Sequence, residues 1–275
     1  APEVRGISFT GSSLVGQHLY VEGAKRGIPV QCEMGGKNPV IVMNDADVDL
    51  AATGAATGAF GSTGQRRTAT SRAIVHESVA DEFVAAVRQK ALGFVPGEAF
   101  DPKATMGPLV SQEQLDKVLS YLDVGRSEAK LVCGGHRVTE GGLGEGYFVA
   151  PTLFDHVSPD ARIAKEEIFG PVLSVVRVRS FDEAMEVANS VAYGLSSSLY
   201  TNNYALVFEY ADRAETGICH VNSPTIGGEA HFPFGGMKAT GIGGREMNEE
   251  ALEFFTEIKT IYFDYTGARR ESNIY

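Results

Sequence analysis

The spacing of apolar residues along the chain changes between the pattern of a strand and the pattern of a helix. The first such change lies close to the beginning of the chain. A short β-rich segment from Arg5 to Thr10 leads into Gly11-Ser12 and then into a helical pattern from Ser13 to Arg26. Gly27 follows the last residue of this pattern, as expected for a helix that ends in a glycine cap. The pattern predicts a strand, a tight turn and a helix in succession.

The same succession recurs further along the chain, which predicts an α/β fold with a mostly parallel sheet covered by helices. The later strand and helix pairs are Pro39 to Met43 with Val48 to Phe60, Arg72 to His76 with Ser78 to Leu92, and Leu173 to Arg177 with Phe181 to Val191.

Two further segments have a distinct composition. Gly134 to Gly146 is rich in glycine and polar residues, which indicates a surface hairpin or loop. Glu257 to Tyr265 is β-branched and aromatic, which predicts a strand that pairs outside its own lobe, and a polar tail from Ala268 to Tyr275 follows it.

Composition narrows the classes of function. The chain has 275 residues, enough for two lobes, and no run of about 18 apolar residues, so we expect a soluble protein outside the membrane. A formal net charge of -11 with scattered Lys and Arg argues against a nucleic-acid partner and favours a small molecule. The three cysteines show no CxxC spacing, which predicts neither a disulfide framework nor a metal site but a reducing, cytoplasmic location.

The beginning of the chain shows no signal peptide, because no basic head precedes an apolar stretch. The chain opens instead on a predicted core strand. We therefore expect its natural beginning to lie elsewhere.

The turn between the first strand and the first helix is a candidate phosphate site. Phe9-Thr10-Gly11-Ser12, followed by Gly16, directs backbone N–H groups and the positive end of a helix toward a bound diphosphate. Taken alone, the segment is also typical of an ordinary turn with a serine cap.

A second candidate segment is Glu33-Met34-Gly35-Gly36-Lys37-Asn38-Pro39. Its carboxylate lies beside two glycines that allow a ligand to approach the backbone closely. Glu33 is a candidate general base if burial raises its pKa toward neutrality. The alternative is an ordinary surface glutamate in a loop.

The loop from Phe60 to Arg72 reads Phe-Gly-Ser-Thr-Gly-Gln-Arg-Arg-Thr-Ala-Thr-Ser-Arg and resembles the catalytic loop of the aldehyde dehydrogenase superfamily. That family has a cysteine where this chain has Arg67. Three later blocks match the family in order and spacing: Gly146 to Thr152, Lys165 to Val172, and Pro233 to Gly236 with Gly241 and Gly243 after it.

The resemblance implies a domain organisation. It assigns residues 1–35 to a partial Rossmann-type cofactor lobe, 36–237 to an α/β catalytic domain and 238–256 to a return into the cofactor lobe. It also makes 257–275 an oligomerisation strand and tail, and implies a homo-oligomer, a dimer or a tetramer.

The resemblance also implies a site. Glu33 corresponds to the general base, Glu167 to the carboxylate that holds the nicotinamide ribose, and Phe169 to the aromatic ring near the nicotinamide. The cofactor is NAD or NADP, and the other residues expected around it are Gly11, Ser12, Gly16, Met34 and Gly35.

The family mechanism needs sulfur. A thiolate attacks the aldehyde, a hydride passes to the nicotinamide, and the glutamate activates the water that hydrolyses the thioester. Arg67 stays protonated and offers donors but no nucleophilic lone pair, so we expect no acylating step from this chain. Cys32, Cys133 and Cys219 are each interpreted as small buried apolar residues, with Cys32 the least unlikely substitute nucleophile because it adjoins Glu33.

Within the family, the chain most resembles the 2-oxoglutarate semialdehyde (2,5-dioxopentanoate) dehydrogenases. The likeness lies in the segments Ala24 to Val30, Gly61 to Arg66 and Ile226 to Phe234. A small carboxylated aldehyde is therefore the expected substrate. The family's N-terminal segment, with its oxyanion asparagine and ribose-binding lysine, is not in this sequence.

Several explanations of Arg67 stay open. The chain is a shortened or engineered form of a working enzyme, which we favour, or a natural pseudoenzyme, or the product of a damaged gene. A different class is a non-catalytic assembly module. In that case Arg67 would pair with Glu33, lower the pKa of its carboxyl and remove it as a base.

Overall fold

The computed structural model describes residues 1–263, 265 and 267, and their strands lie in three sheets. In chain order the strands are β1 (Ile7–Thr10), β2 (Val30–Glu33), β3 (Asn38–Val42), β4 (Thr70–His76), β5 (Lys130–Cys133), β6 (Thr152–Asp155), β7 (Val172–Val178), β8 (Tyr193–Gly194), β9 (Ser196–Tyr200), β10 (Ile218–Val221), β11 (Met237–Lys238) and β12 (Gly241–Ile242). The helices are α1 (Ser13–Arg26), α2 (Val48–Phe60), α3 (Glu77–Ala91), α4 (Gln112–Glu128), α5 (Arg162–Lys165), α6 (Phe181–Asn189), α7 (Tyr204–Arg213) and α8 (Asn248–Phe255), with 3-10 turns at Gly61–Gly64 and Glu140–Glu145.

The largest sheet has the order β10-β9-β3-β4-β7-β6-β5. All of its neighbouring strands run parallel except β5, which is antiparallel to β6. The predicted α/β fold with a mostly parallel sheet is confirmed.

Alternate residues of the central strands enter two separate apolar layers. Val40 and Val42 pack with the alanine face of α2 and with α3, whereas Ile41 faces the opposite layer, to which α4 and α6 contribute. Because a strand turns successive side chains to opposite faces, near-continuous apolar strands such as β3 are expected in a sheet covered on both sides. The candidate site is built from the ends of these strands. The two apolar layers hold the strands in place.

Local signals in the sequence account for the ends of α1 and α2. Ser12 caps the start of α1 and Gly27 ends it in the left-handed conformation, with φ of 65°. Asp47 accepts a hydrogen bond from the N–H of Leu50 at the start of α2. Both helices have the predicted bounds.

A smaller sheet has the order β1-β2-β12. β1 is parallel to β2, and β12, which follows much later in the chain, is antiparallel to it. Glu33, the last residue of β2, is opposite Thr10 on one side and Gly241 on the other. Segments from both ends of the chain therefore surround this carboxylate.

The predicted strand from Glu257 to Tyr265 does not form in the single chain, where residues 257–263 and 265 belong to no helix or strand. A strand needs a hydrogen-bonded partner, so its pairing with a second subunit stays a prediction. The tail predicted from Ala268 to Tyr275 lies outside the described residues. Within the described part, no helix is both long and apolar enough to cross a membrane.

Close packing of α2 on the sheet generates a prediction. A Cβ on Gly58 would overlap Oγ1 of Thr70, which is fixed by a 2.8 Å hydrogen bond to the Thr225 hydroxyl. We expect Gly58→Ala to lower the free energy of unfolding by about 1–3 kcal/mol through overpacking. Urea unfolding measures this.

Gly61→Ala is the control, because a Cβ there meets no atom within 4 Å. In a Thr70→Ala background the cost of Gly58→Ala should shrink, because the obstructing hydroxyl is gone. Equal stability of Gly58→Ala and the unaltered chain would contradict the packing account.

Candidate active site

Glu33 forms the floor of the candidate site. It is 1% exposed at the end of β2. A Cβ on Gly235 would overlap its Oε1, and one on Gly241 would lie 3.4 Å from the same atom. Glycine at these positions lets two backbone segments close over the carboxylate.

The loop that carries Arg67 begins in a strained turn. Ser62 and Thr63 have positive φ values of 51° and 58°. Further along, the Asn38 side-chain amide donates to the carbonyl of Arg67 at 2.7 Å and to that of Ala69 at 2.9 Å. The start of β3 therefore fixes the backbone at the position where the resemblance places the nucleophile.

The guanidinium of Arg67 lies between two carboxylates. Its Nη1 is 3.5 Å from Oε2 of Glu33, and its Nη2 donates to Oε2 of Glu246 at 3.3 Å. Its Cζ is 4.9 Å from the centroid of the Phe234 ring, a cation–π contact. The contact with Glu33 makes no hydrogen bond, so Glu246 is the better-oriented partner.

Burial dominates the ionisation of Glu33. It raises the pKa of this carboxyl to about 7, against the opposing effect of the Arg67 charge; nearby Glu246 raises the pKa further and Arg245 lowers it. The hypothesis that the Arg67 charge lowers the pKa of Glu33 has the right direction, but burial outweighs that charge, so the net pKa is raised. The cation is close, but the loss of water around the carboxylate costs more than the contact returns.

Glu167 contacts the glycine pair Gly35-Gly36, and Phe169 follows it two residues later in the chain. Oε1 of Glu167 accepts from the N–H of Gly36 at 3.0 Å, and a Cβ on Gly35 would overlap this carboxylate. Phe169 has a positive φ of 58°, and its carbonyl accepts from the Gln114 side chain at 2.8 Å. Glu167 is thus attached to the segment that carries Glu33.

A cavity of about 490 Å³ separates Glu167 from the start of α1 and is lined by Ser12, Ser13 and Tyr193 among others. Ser12 accepts from the N–H of Val15 at 3.4 Å, and its carbonyl accepts from the N–H of Gly16. The positive end of α1 and a carboxylate therefore face one space, a combination that suits a group with both phosphate and ribose.

Gly16 and Met34 pack against each other. Gly16 is buried, and a Cβ there would overlap the thioether of Met34. This contact brings α1 close to the end of β2. The placement of Gly11, Ser12, Gly16, Met34 and Gly35 around a cofactor stays a prediction.

Several residues of the site were not singled out from the sequence. Arg245 and Glu246 follow the motif that contains Gly241 and Gly243. The signal in the sequence that could have identified them was a carboxylate beside an arginine, next to a cluster of glycines. Lys37 is 2% exposed with no hydrogen-bond partner for Nζ, and burial lowers its pKa to about 7. Only its place within the Glu33 to Pro39 block pointed to it.

The cysteines differ in burial. Cys32 is fully buried and its thiol contacts the carbonyl of Gly16, so it points away from the face that carries Glu33. Burial raises the pKa of Cys32 and of the half-buried Cys133. The prediction of burial is wrong for Cys219, which is exposed because β10 is the last strand of its sheet.

Metal binding finds no support in the part of the chain that the structure describes. It contains no group of three or more His, Cys, Asp or Glu side chains arranged to hold an ion.

Comparison with protein families gives one match that spans most of the chain. Residues 1–261 match the model described as the aldehyde dehydrogenase family. Among curated proteins, the alpha-ketoglutaric semialdehyde dehydrogenase of Bacillus subtilis (strain 168) is 42% identical over 260 residues, which are 94% of this chain and 53% of that protein. The alpha-ketoglutarate semialdehyde dehydrogenase of Haloferax volcanii is 45% identical over 261 residues, 94% of this chain and 54% of that protein.

Solved structures agree. A Thermus 1-pyrroline-5-carboxylate dehydrogenase with bound NAD has a TM-score of 0.88 at 40% identity, covering 94% of this chain and 51% of that one. A Staphylococcus aureus betaine aldehyde dehydrogenase in complex with NAD⁺ has a TM-score of 0.87 at 35% identity, covering 92% and 50%. The chain spans about half the length of the relatives that it matches.

The raised pKa of Glu33 predicts a pH-dependent stability. Between the ordinary pKa of 4.5 and the folded value of about 7, the folded chain keeps a proton that the unfolded chain loses. Stability is therefore lost as pH rises through this window. Glu33→Gln should gain about 1–3 kcal/mol relative to the unaltered chain from pH 5 to pH 8, measured by urea unfolding.

Glu249→Gln, which alters an exposed carboxylate in α8, is the control and should follow the unaltered chain at each pH. A constant difference between Glu33→Gln and the unaltered chain across this range would contradict the raised pKa.

Proposed function

The chain belongs to the aldehyde dehydrogenase family, and from this we propose a fold built for NAD(P)-dependent oxidation of a small carboxylated semialdehyde to a carboxylate. We propose further that this chain does not carry out the acylating step. The observation that carries the proposal is the guanidinium of Arg67, 3.5 Å from Glu33, in the loop where the resemblance leads us to expect the nucleophilic cysteine.

The proposed cofactor is NAD or NADP, which accepts a hydride when bound. The start of α1 would face its phosphates, and the Glu167 carboxylate would accept hydrogen bonds from ribose hydroxyls. The cavity of about 490 Å³ between them supports this arrangement. So do the NAD-bound crystal structures of two similar dehydrogenases.

The proposed substrate class rests on relatives and on a second cavity. The curated relatives act on alpha-ketoglutarate semialdehyde by name. A cavity of about 630 Å³ is lined by Phe232, Phe234 and His220 among others, and Phe234 also contacts Arg67. This cavity has the size and mixed polarity that a small aldehyde needs.

The roles of the two facing side chains follow from their chemistry. Glu33, with a pKa of about 7, is half ionised near neutral pH and is suited to accept a proton from water. Arg67 offers N–H donors and no electron pair to attack a carbonyl carbon. The base is therefore retained while the covalent step lacks its nucleophile.

A non-catalytic assembly module is the second candidate. The segment after α8 is exposed and apolar, with Ile258, Tyr262 and Phe263 at 99%, 82% and 70% exposure. An exposed run of β-branched and aromatic residues favours pairing with a second copy of the chain. A homo-oligomer is proposed under both candidates.

Restoring the thiol tests the proposed function. We expect no aldehyde-dependent formation of NAD(P)H by the unaltered chain. Arg67→Cys, joined to the N-terminal half of a relative, should form NAD(P)H from a carboxylated semialdehyde because the nucleophile is back beside Glu33. Absorbance of the reduced nicotinamide measures the rate.

Arg67→Ser in the same fusion is the control, because its hydroxyl is a far weaker nucleophile at neutral pH. Turnover by the unaltered chain would contradict the proposal and direct the search for a nucleophile to its cysteines.

Cofactor contact is tested separately by thermal unfolding with and without NAD⁺ or NADP⁺. Glu167→Gln should weaken the apparent affinity for the dinucleotide about tenfold, because a charged acceptor facing the ribose is lost. The weaker affinity is measured as a smaller rise in melting temperature on addition of the dinucleotide. The matched control is Glu186→Gln, which alters an exposed carboxylate of α6 that does not line this cavity. An equal loss in both variants would remove Glu167 from the proposed cofactor site.

A further inference from the structure

One guanidinium is surrounded by side chains from three segments that are far apart in sequence. Glu33 comes from the end of β2, Phe234 from the segment between β10 and β11, and Glu246 from the segment between β12 and α8. We call the space that they enclose around the Arg67 guanidinium the cation pocket.

The walls of the cation pocket have the chemistry of a site for a positive charge. Two carboxylates converge on it, and the negative charge of Glu246 adds to burial in raising the pKa of Glu33. The ring of Phe234 supplies the face of an aromatic system, which attracts cations. The adjacent cation Arg245 is engaged with the carbonyl of Gly236.

Glu33 gives an independent sign that the pocket is built for a ligand. Its side chain is 99% buried, and its Oε2 faces the guanidinium without a hydrogen bond. A buried carboxylate oxygen with no donor is costly unless a cation lies close to it. Arg67 provides that cation at 3.5 Å.

We propose that the cation pocket is a binding site for a small planar organic cation of the guanidinium class, and that Arg67 is its internal ligand. This inference concerns the charge and shape of the pocket and does not depend on the aldehyde chemistry. Because the backbone of Arg67 is also held by Asn38, the occupied pocket fastens the loop around Arg67 to the segment between β12 and α8.

The planar shape of the guanidinium is part of the inference. It places separate N–H groups toward the two carboxylates while its Cζ lies over the Phe234 ring. An ammonium group is a compact point charge on a single nitrogen, so it matches the spacing of these three contacts less well than a guanidinium does. Arg67→Lys should therefore restore only part of what arginine provides.

The experiment empties the pocket and refills it. Arg67→Ala should melt at a lower temperature than the unaltered chain, because Glu246 loses its hydrogen-bond donor and Glu33 keeps only Arg245 as a nearby cation. Millimolar guanidinium chloride should raise the melting temperature of Arg67→Ala, while equal concentrations of sodium chloride or urea do not. The unaltered chain, whose pocket is occupied, should show no such rise.

A second variant identifies the walls. In Arg67→Ala with Glu246→Gln, guanidinium should no longer raise the melting temperature, because one carboxylate is gone. Glu249→Gln in place of Glu246→Gln is the matched control and should keep the rise, since Glu249 is an exposed residue of α8.

Two outcomes would overturn the proposal. One is stabilisation of Arg67→Ala by sodium chloride as strongly as by guanidinium, which would reduce the effect to ionic screening. The other is retention of the guanidinium effect after Glu246→Gln. If Arg67→Ala does not fold, Arg67→Met is made instead, both in the unaltered chain and in the Glu246→Gln variant. An equal loss of melting temperature from Arg67→Met in the two backgrounds would also refute the proposal.

Discussion

A single ion-paired arginine connects the parts of the site. Arg67 lies against Glu33, Glu246 and Phe234, so one side chain spans the end of β2, the loop before β4 and the segment after β12. The side chain of Glu33 is 1% exposed and those of Arg67 and Glu246 are 22% and 21% exposed, so partial shielding from water strengthens these charge contacts. The ionisation of Glu33 and the fixation of the loop both depend on this arrangement.

The fold explains why these residues meet. The parallel pairing of β3 and β4 places the segment after β2 and the loop before β4 at the same end of the sheet. There the Asn38 side chain donates a hydrogen bond to the backbone of the loop. β12 returns to pair with β2 and delivers Glu246 from the far end of the chain. Glycines at Gly35 and Gly235 allow the close backbone approaches that the carboxylates require.

Local signals made much of the fold predictable. Ser12 and Gly27 delimited α1, Asp47 began α2, and apolar runs gave the central strands of the large sheet. Motif order brought Glu33, Arg67 and Glu167 together before any geometry was known. The rise of the Glu33 pKa toward neutrality through burial was anticipated as the condition for a general base. The contact between Arg67 and Glu246 could not be predicted, because it joins residues 179 positions apart.

The burial predicted for Cys219 is wrong, whereas the strand predicted after residue 256 is untested, because its expected partner is a second subunit. Both lie where a single chain leaves a sheet edge or an apolar segment without a neighbour, and sequence pattern does not show which neighbour will come. The most direct test of the account is a crystal structure of the chain that resolves the Arg67 side chain. It should show the guanidinium in ion-pair contact with both Glu33 and Glu246 and against the face of Phe234; a guanidinium turned to solvent, with the two carboxylates apart from it, would contradict the account.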